Sequence, residues 1–268
     1  MSDWPYVEGS INSRQGTVSS AAAGVQRTWL SGASANVKGS YVILATTATD
    51  ADGFFFETNW GNGDSLADLS ILSQSGTVDV VQNIYRSQPQ FLMNNTFWPI
   101  TVPAGSSVGI RAQSANAPSQ LWGSIHFTKG GLDALPPLSL SETWGAVPGT
   151  TLGTFVNSGG TAFTKGAWAQ LVASSARHCR AVILNFQWRG NAGRGGSDFY
   201  LVDLGVGAAG SEAVVIPDIP VAERAGNVMP ATHGPFYIEI PANSRVAIRA
   251  NWDGQVNSTF YATAYGLA

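Results

Sequence analysis

The chain has 268 residues, a net charge of −3 at neutral pH and only 12% charged residues. Without a basic excess to neutralise phosphates, nucleic acid is not an expected partner. No apolar run is long enough to span a membrane, the N-terminus lacks the regions of a signal peptide, and a single cysteine excludes an intrachain disulfide, so we expect synthesis in a reducing cytosol. Aromatic residues at 10%, with 31 Gly and 13 Pro, favour an all-β fold over disorder.

The first half of the chain begins with a polar arm and continues as a series of short strands. Residues 1–15 are irregular, and Trp4 and Tyr6 are predicted to anchor this arm on a neighbouring molecule. From residue 16 onward, alternating apolar and polar residues are separated by turn formers, which is typical of β-strands. The predicted strands are Gln26–Leu30, Gly39–Thr46, Gly53–Trp60, Ala67–Leu72, Thr77–Val81, two within 98–113, and Leu121–Phe127. This pattern predicts a β-sandwich or jelly roll.

The clearest pattern in the chain is a stretch that occurs twice. Residues 98–113 alternate apolar and polar side chains, turn at Pro-Ala-Gly, and alternate again. Residues 236–251 do the same around Pro-Ala-Asn, 138 positions later, and Arg111 and Arg249 keep that spacing. Each stretch is predicted to form a hairpin of two paired strands. A hairpin repeated at half the chain length indicates two copies of one β domain.

Further segments repeat in the same order, at shifts between 127 and 135. Lys38 matches Lys165, Gly53–Trp60 matches Ala181–Trp188, Asp68 matches Asp203, and Val78–Gln82 matches Glu212–Ile216. Between the halves, residues 129–143 contain Gly-Gly and Pro-Pro and are predicted to be a linker. The sequence therefore predicts an arm at 1–15 and two tandem antiparallel β-sandwich domains of jelly-roll type, at 16–128 and 144–268, related by internal duplication.

The three histidines and the cysteine do not form a recognisable site. No H-x-H, HExxH or CxxC spacing exists around His126, His178 or His233, so no metal and no cofactor are predicted. Cys179 lies beside His178, but a cysteine nucleophile needs a base across from it, and adjacent residues on an extended chain face opposite ways. No catalytic residue is predicted, and we expect that the chain is not an enzyme.

Paired carboxylates leave glycoside hydrolysis as one alternative. The candidates are Asp198 with Asp203, Asp64 with Asp68, and Glu57. An odd spacing places Asp198 and Asp203 on opposite faces of a regular strand, so solvated or turn-capping carboxylates are the favoured interpretation. The repeated Arg111 and Arg249 are instead predicted to pair with Asp68 and Asp203 as structural ion pairs.

Aromatic side chains leave carbohydrate binding as a second alternative. The candidates for a sugar-stacking platform are Trp60, Trp98, Trp122, Trp188, Trp252 and Tyr237. Trp60 and Trp188 are repeat equivalents at strand ends, which favours core packing. Trp252 is followed by Asp-Gly and is predicted to lie in a turn with its ring exposed, as a contact for a partner or a glycan.

Several motifs of the second half resemble a group of tailed-bacteriophage virion structural proteins. They are Lys-Gly-x-Trp at 165–168, Asp-Leu-Gly-Val-Gly-x-x-Gly at 203–210, Val-Ile-Pro at 215–217, and Ile-Pro-Ala-x-Ser-x-Val-Ala-Ile-Arg-Ala at 240–250. The first half matches loosely, because Asp68–Ile71 departs from the Gly-Val-Gly form. The resemblance implies a virion location, as a head decoration, spike base, fibre or tail component, and carries over no catalytic residue.

These observations favour a non-enzymatic structural protein of a phage particle. It is expected to self-associate, with a trimer as one arrangement, and to dock on capsid or tail partners by burying strand surfaces and aromatic patches. Contacts between subunits would also cover exposed sheet edges. The alternative is a receptor- or carbohydrate-binding fibre or spike protein, for which a host surface glycan would be a partner.

Overall fold

The fold is taken from a computed structural model of the chain. It describes residues 27–30, 32, 34–59, 64–73, 76–86, 94–116, 120–128, 138, 141–187, 199–224, 227–228, 231–252 and 259–268. The predicted anchoring residues Trp4 and Tyr6 lie outside these ranges. None of the described residues forms a helix with the length and apolarity needed to cross a bilayer.

The first half, which we call copy one (27–128), forms eight strands in two antiparallel sheets. They are β1 (Arg27–Leu30), β2 (Val42–Thr46), β3 (Gly53–Asn59), β4 (Ser65–Ser73), β5 (Gly76–Arg86), β6 (Asn94–Trp98), β7 (Ser107–Ser114) and β8 (Gln120–Thr128). One sheet has the order β1-β8-β3-β6 and the other β2-β7-β4-β5. Two four-stranded sheets connected in this way form a jelly roll.

The second half, which we call copy two (141–268), repeats this order. Its strands are β9 (Ser141–Trp144), β10 (Thr154–Asn157), β11 (Ala169–Val172), β12 (Ala181–Gln187), β13 (Phe199–Val206), β14 (Ala213–Arg224), β15 (Asn227–Val228), β16 (Ala231–Phe236), β17 (Val246–Trp252) and β18 (Thr259–Leu267). One sheet has the order β10-β18-β12-β16, with β9 also paired to β18, and the other has the order β11-β17-β13-β14-β15. The predicted all-β fold with two duplicated jelly-roll sandwiches is confirmed.

The repeated stretch that revealed the duplication is not a hairpin. β6 pairs with β3 in one sheet, whereas β7 pairs with β2 and β4 in the other, and β16 and β17 are separated in the same way. Between them the chain crosses the sandwich, with Val102 bridged to Ala51 and Ile240 bridged to Cys179, all fully or nearly fully buried. The hairpin prediction is wrong because alternation followed by a turn also describes a chain that changes sheets.

Two further expectations differ in detail from the structure. Asp79 lies opposite Ser70, and Val214 lies opposite Gly205, which sets the repeat of β5 and β14 at 135 positions rather than the predicted 134. β9 begins at Ser141, inside the predicted linker 129–143, of which Leu138 is also described and fully buried against the fold.

The central strands β12 and β18 of the sheet β10-β18-β12-β16 join the two copies, because they are buried on both faces. Every described residue of β12 is buried: Val182, Leu184 and Phe186 belong to the core of copy two, whereas Ala181 and Ile183 belong to the core of copy one. This explains the continuous apolar run Ala-Val-Ile-Leu, since a strand with one solvent-exposed face would alternate apolar and polar residues. The two cores therefore lie on opposite faces of strands that they share.

Polar side chains are buried at the same junction and hold it in register. The Nδ2 of Asn185 donates to the carbonyl of Tyr85 at 2.8 Å, and the Oδ1 of Asn185 accepts from the Nη1 of Arg86 at 3.4 Å. The hydroxyl of Tyr265 accepts from the amide of Tyr85 at 3.1 Å, and its ring meets Trp98 edge-on at 5.2 Å. Each hydrogen bond joins β5 of copy one to copy two. A displacement of the copies would therefore leave buried polar groups without hydrogen-bond partners.

Candidate functional site

The outer face of the sheet β11-β17-β13-β14 carries an ion cluster centred on Asp203. This carboxylate accepts hydrogen bonds from Lys165 Nζ at 2.6 Å, from Arg249 Nε at 2.9 Å and from the backbone amide of Asp218 at 3.0 Å. Burial alone would raise the pKa of Asp203, but these bonds outweigh it and hold the pKa below its ordinary value. Asp203 is therefore ionised at neutral pH and fully engaged.

Copy one builds the same cluster around Asp68. Its carboxylate accepts from Lys38 Nζ at 2.7 Å, from Arg111 Nε at 2.8 Å and from the amide of Asn83 at 2.8 Å. The predicted structural pairing of both arginines with both aspartates is thus confirmed, and a lysine completes each set.

A shared backbone irregularity explains why the aspartate occurs in both copies. The pairing of β4 with β5 shifts register beside Asp68, and the pairing of β13 with β14 shifts beside Asp203. At these bulges Asn83 and Asp218 have φ angles of 54° and 49°, in the left-handed region. The bulge leaves a backbone amide without a partner on the neighbouring strand, and the buried carboxylate accepts a hydrogen bond from that amide.

The two clusters differ in what surrounds the arginine. In copy two, the Arg249 guanidinium lies over the ring of Trp168 at 4.5 Å, and that ring covers Gly205. In copy one, Arg111 lies over the smaller ring of Tyr41 at 4.6 Å, and Ser70 takes the place of the glycine. The departure of copy one from the Gly-Val-Gly form therefore accompanies the change from Trp to Tyr.

Gly205→Ala is expected to destabilise the protein by about 1–3 kcal/mol, because an added Cβ would lie 2.5 Å from the Trp168 ring. Equilibrium unfolding in urea measures this change. Gly149→Ala is the control, since a Cβ there meets nothing within 4 Å, and its effect should stay within about 0.5 kcal/mol. Equal stabilities of the two variants would contradict the close packing of Trp168 on Gly205.

Copy one adds a second carboxylate, Asp79, to its cluster. Asp79 accepts hydrogen bonds from the Tyr41 hydroxyl, from Ser70, from Gln82 and from the Nη2 of Arg111. Burial opposes ionisation, yet these bonds hold the pKa of Asp79 below its ordinary value. The position equivalent to Asp79 in copy two is Val214, which cannot make these contacts.

These groups line an open polar groove of about 580 Å³ at the junction of the copies. Copy one contributes Tyr41, Thr77, Val78, Asp79, Gln82 and Arg111, and copy two contributes Arg177. Sequence reasoning missed the groove, because Arg177 is brought there by the packing of the two copies. The sequence held one signal for the groove: copy one has Asp79 where copy two has the apolar Val214. The predicted shift of 134, one residue too short, concealed this difference.

The histidines and the cysteine are not brought together with these groups where the structure describes them. The exposed side chain of His178 contacts the carboxylate of Glu239, and His233 packs against Phe186 with its pKa lowered by burial. Cys179 is fully buried, and burial raises the pKa of its thiol to about 11, which is opposite to what a nucleophile needs. The side chain of His126 lies outside the described part of the chain. Among the residues described, no group of three His, Cys, Asp or Glu forms a metal site.

Of the three aromatic candidates whose side chains the structure describes, two are buried. Trp98 is fully buried, and Trp252 is 6% exposed at the end of β17, where it stacks on Tyr200. The expectation of a turn and an exposed ring at Trp252 is wrong, because it shares the core-facing parity of Ile248 and Ala250. Tyr237 is 40% exposed. The side chains of Trp60, Trp122 and Trp188 lie outside the described residues.

An exposed phenylalanine that the sequence did not single out occupies a strained turn. Phe163 has a φ of 59°, and its amide donates to the carbonyl of Trp252 at 2.8 Å. Asn36 is its equivalent in copy one, with a φ of 57° and an amide bond of 2.9 Å to the carbonyl of Ser114. Asn tolerates this left-handed conformation, whereas for a bulky residue it is an outlier.

Comparison with known proteins assigns the chain to no family. No protein-family model matches the chain, and no curated protein matches it. Among solved structures, the tandem CBM22-1-CBM22-2 domain of Paenibacillus barcinonensis Xyn10C is similar at 12% identity over 98% of this chain and 95% of that one, with a TM-score of 0.29. The CUB1-EGF-CUB2 domain of human MASP-1/3 is similar at 10% identity over 91% and 99%, with a TM-score of 0.19. Scores this low carry no argument, and the fold assignment rests on the strand orders.

Proposed function

We propose that this protein is a non-enzymatic structural component of a bacteriophage particle, which associates with copies of itself and docks on capsid or tail partners. The observation that carries the proposal is the presentation of Phe163 on the outer face of copy two. The sequence resemblance supports the location in a virion, after synthesis in the host cytoplasm.

Phe163 is 74% exposed in a conformation that disfavours its side chain. A bulky residue in the left-handed region costs on the order of 1 kcal/mol or more, and such strain concentrates at functional positions. Copy one shows that the turn forms with Asn36. The replacement by a phenylalanine gives copy two an apolar anchor that its fold does not require.

The surroundings of Phe163 extend this anchor into a patch. The Nδ2 of Asn251 donates to the carbonyl of Phe163 at 3.4 Å, and its Oδ1 accepts from the amide of Leu201 at 3.1 Å. Leu201 and Phe199 point outward from β13, 37% and 59% exposed, and the exposed Pro220 lies opposite Leu201 on β14. Clustered exposed apolar side chains are typical of surfaces that bind other proteins.

Phe163→Asn is expected to stabilise the fold and to weaken self-association. The substitution restores the residue type of copy one, so the free energy of unfolding should rise by about 0.5–1 kcal/mol. Loss of a central aromatic anchor should weaken association by about tenfold or more. Urea unfolding measures the first effect, and sedimentation velocity over a concentration series measures the second.

Val37→Thr is the matched control, because Val37 is 51% exposed and follows the equivalent turn of copy one. It should leave association unchanged. A wild-type chain that stays monomeric at every concentration, or an association that Phe163→Asn leaves intact, would contradict self-association through this patch. Mass spectrometry of purified phage particles from the same genome tests the virion location, which requires peptides of this chain.

The two alternatives receive less support from the described residues. The sugar-stacking platform predicted from the sequence is not assembled by the described side chains, because Trp98 and Trp252 are buried and Tyr237 is the one described candidate that is exposed. Glycoside hydrolysis needs one carboxyl with a raised pKa, whereas the pKa values of Asp79 and Asp203 are lowered by their cationic and hydroxyl neighbours.

A further inference from the structure

We propose that the groove at the junction of the copies binds a small hydroxylated anion, in which a carboxylate or phosphate is attached to a sugar-like group. The first support is the difference between the copies. Both need the Lys–Asp–Arg cluster, which closes the bulge, but only copy one surrounds it with Tyr41, Ser70 and Asp79. In copy two the equivalent positions hold Trp168, Gly205 and Val214, of which Val214 cannot form the hydrogen bonds that Asp79 forms in copy one.

Arg177 supplies a cation that the fold does not use. It is exposed, and no described residue forms an ion pair with its guanidinium. Its loop is nevertheless held in place: the hydroxyl of Ser175 donates to the carbonyl of Pro241 at 2.9 Å, and the amide of Ala176 donates to the carboxylate of Glu142 at 2.9 Å. A fixed backbone with an unengaged guanidinium suits the capture of a planar anion.

The hydroxyl of Thr143, the residue next to Glu142 on β9, donates to the carbonyl of Gln82 on β5 of copy one. The strand that holds the Arg177 loop is thus bonded directly to a wall of the groove. The position of Arg177 against copy one therefore follows from the junction, and the groove is complete only when both copies are packed together.

The charge of the groove favours an anion over a cation. Asp79 already accepts four hydrogen bonds, which use both of its oxygens and leave it little capacity for a bound cation. Its role is to hold Tyr41 and Arg111 in position. Arg111 donates through Nε and Nη2, and no described residue accepts from its Nη1. Lys38, Arg111 and Arg177 together exceed the two negative charges of Asp68 and Asp79 by one.

Apart from the apolar Val78, the remaining lining groups suit hydroxyls. Burial and the bond to Asp79 raise the pKa of Tyr41 to about 12, so its phenol stays neutral and can accept a bond from a ligand hydroxyl. Thr77 and the amide oxygen of Gln82 add further partners. A volume of about 580 Å³ lies within the range of small-molecule sites, roughly 300–1,000 Å³, and a polar lining favours a polar ligand.

The test is an NMR titration of the full chain with three probes: D-glucuronate, D-glucose 6-phosphate and neutral D-glucose. At least one anion should bind saturably and at least tenfold more tightly than glucose, and the tighter of the two identifies carboxylate or phosphate as the preferred group. Arg177→Ala should weaken that binding about tenfold or more. Arg177→Lys should weaken it less, because a lysine keeps the positive charge but lacks the paired N–H donors of a guanidinium.

Arg180→Ala is the control, since it removes the same charge three residues away and outside the groove lining; it should change affinity less than twofold. Phe163 is not among the residues that line the groove, so Phe163→Asn should leave anion binding unchanged, and failure of self-association would not affect this result. Equal affinity for glucose, no binding of either anion, or binding that Arg177→Ala leaves unchanged would overturn the proposal.

Discussion

Asp203→Asn is expected to lower the free energy of unfolding by about 3 kcal/mol, because it leaves two cations without their buried counter-charge. The Asp203 side chain is 5% exposed, and its partners Lys165 and Arg249 are 17% and 30% exposed. Because both cations are partly exposed, the expected loss of stability lies at the lower end of the range for removing one partner from a buried ion pair. Urea unfolding at neutral pH and moderate salt measures it.

Asp218→Asn is a matched control, because Asp218 binds the same lysine at 2.8 Å but is 60% exposed. Copy one has Asn83 at this position with a similar φ, so the backbone accepts the change. The expected loss is below about 0.5 kcal/mol. If Asp203→Asn and Asp218→Asn destabilised the protein equally, the buried cluster would not be the element that stabilises the bulge.

Asn185→Ala is expected to destabilise the protein by about 3 kcal/mol, through a cavity and through buried polar groups left without a partner. Asn185 is fully buried, and besides Tyr85 and Arg86 it bonds to Thr263 Oγ1 at 3.2 Å and accepts from Thr232 Oγ1 at 3.4 Å. Because these bonds span the two copies, the variant should lower the stability of both. Urea unfolding followed by tryptophan fluorescence measures the change.

Asn157→Ala is the control for this variant. Asn157 is exposed, and its side chain accepts only a local bond from the amide of Gly159 at 2.9 Å, so a change within about 0.5 kcal/mol is expected. A stability of Asn185→Ala equal to that of the control would mean that the polar network at the junction contributes nothing to the folded state.

The duplication could be predicted from sequence because the residues that close each bulge are chemically distinctive. A lysine, an aspartate and an arginine recur in order, and their strands are bounded by the same turn residues. The burial of β12 on both faces was not predicted, although its continuous apolar run is typical of such a strand. Periodicity reports which face a residue occupies, not which element covers that face.

Other features depend on tertiary packing and leave no local signal. The stretch 98–113 alternates as a hairpin would, and only the burial of Val102 between the sheets shows that the chain crosses the sandwich. Phe163 reads as an ordinary apolar residue until the turn is compared with that of Asn36. Arg177 joins the groove from the other copy, so no pattern within either half could place it there.

Assembly and anion binding both rest on the two jelly rolls forming one rigid subunit, which scanning calorimetry of the full chain tests most directly. Because the two cores share β12 and β18 and the junction buries polar groups, we expect a single unfolding transition whose calorimetric and van't Hoff enthalpies agree. Two separable transitions, one for each half of the chain, would contradict it.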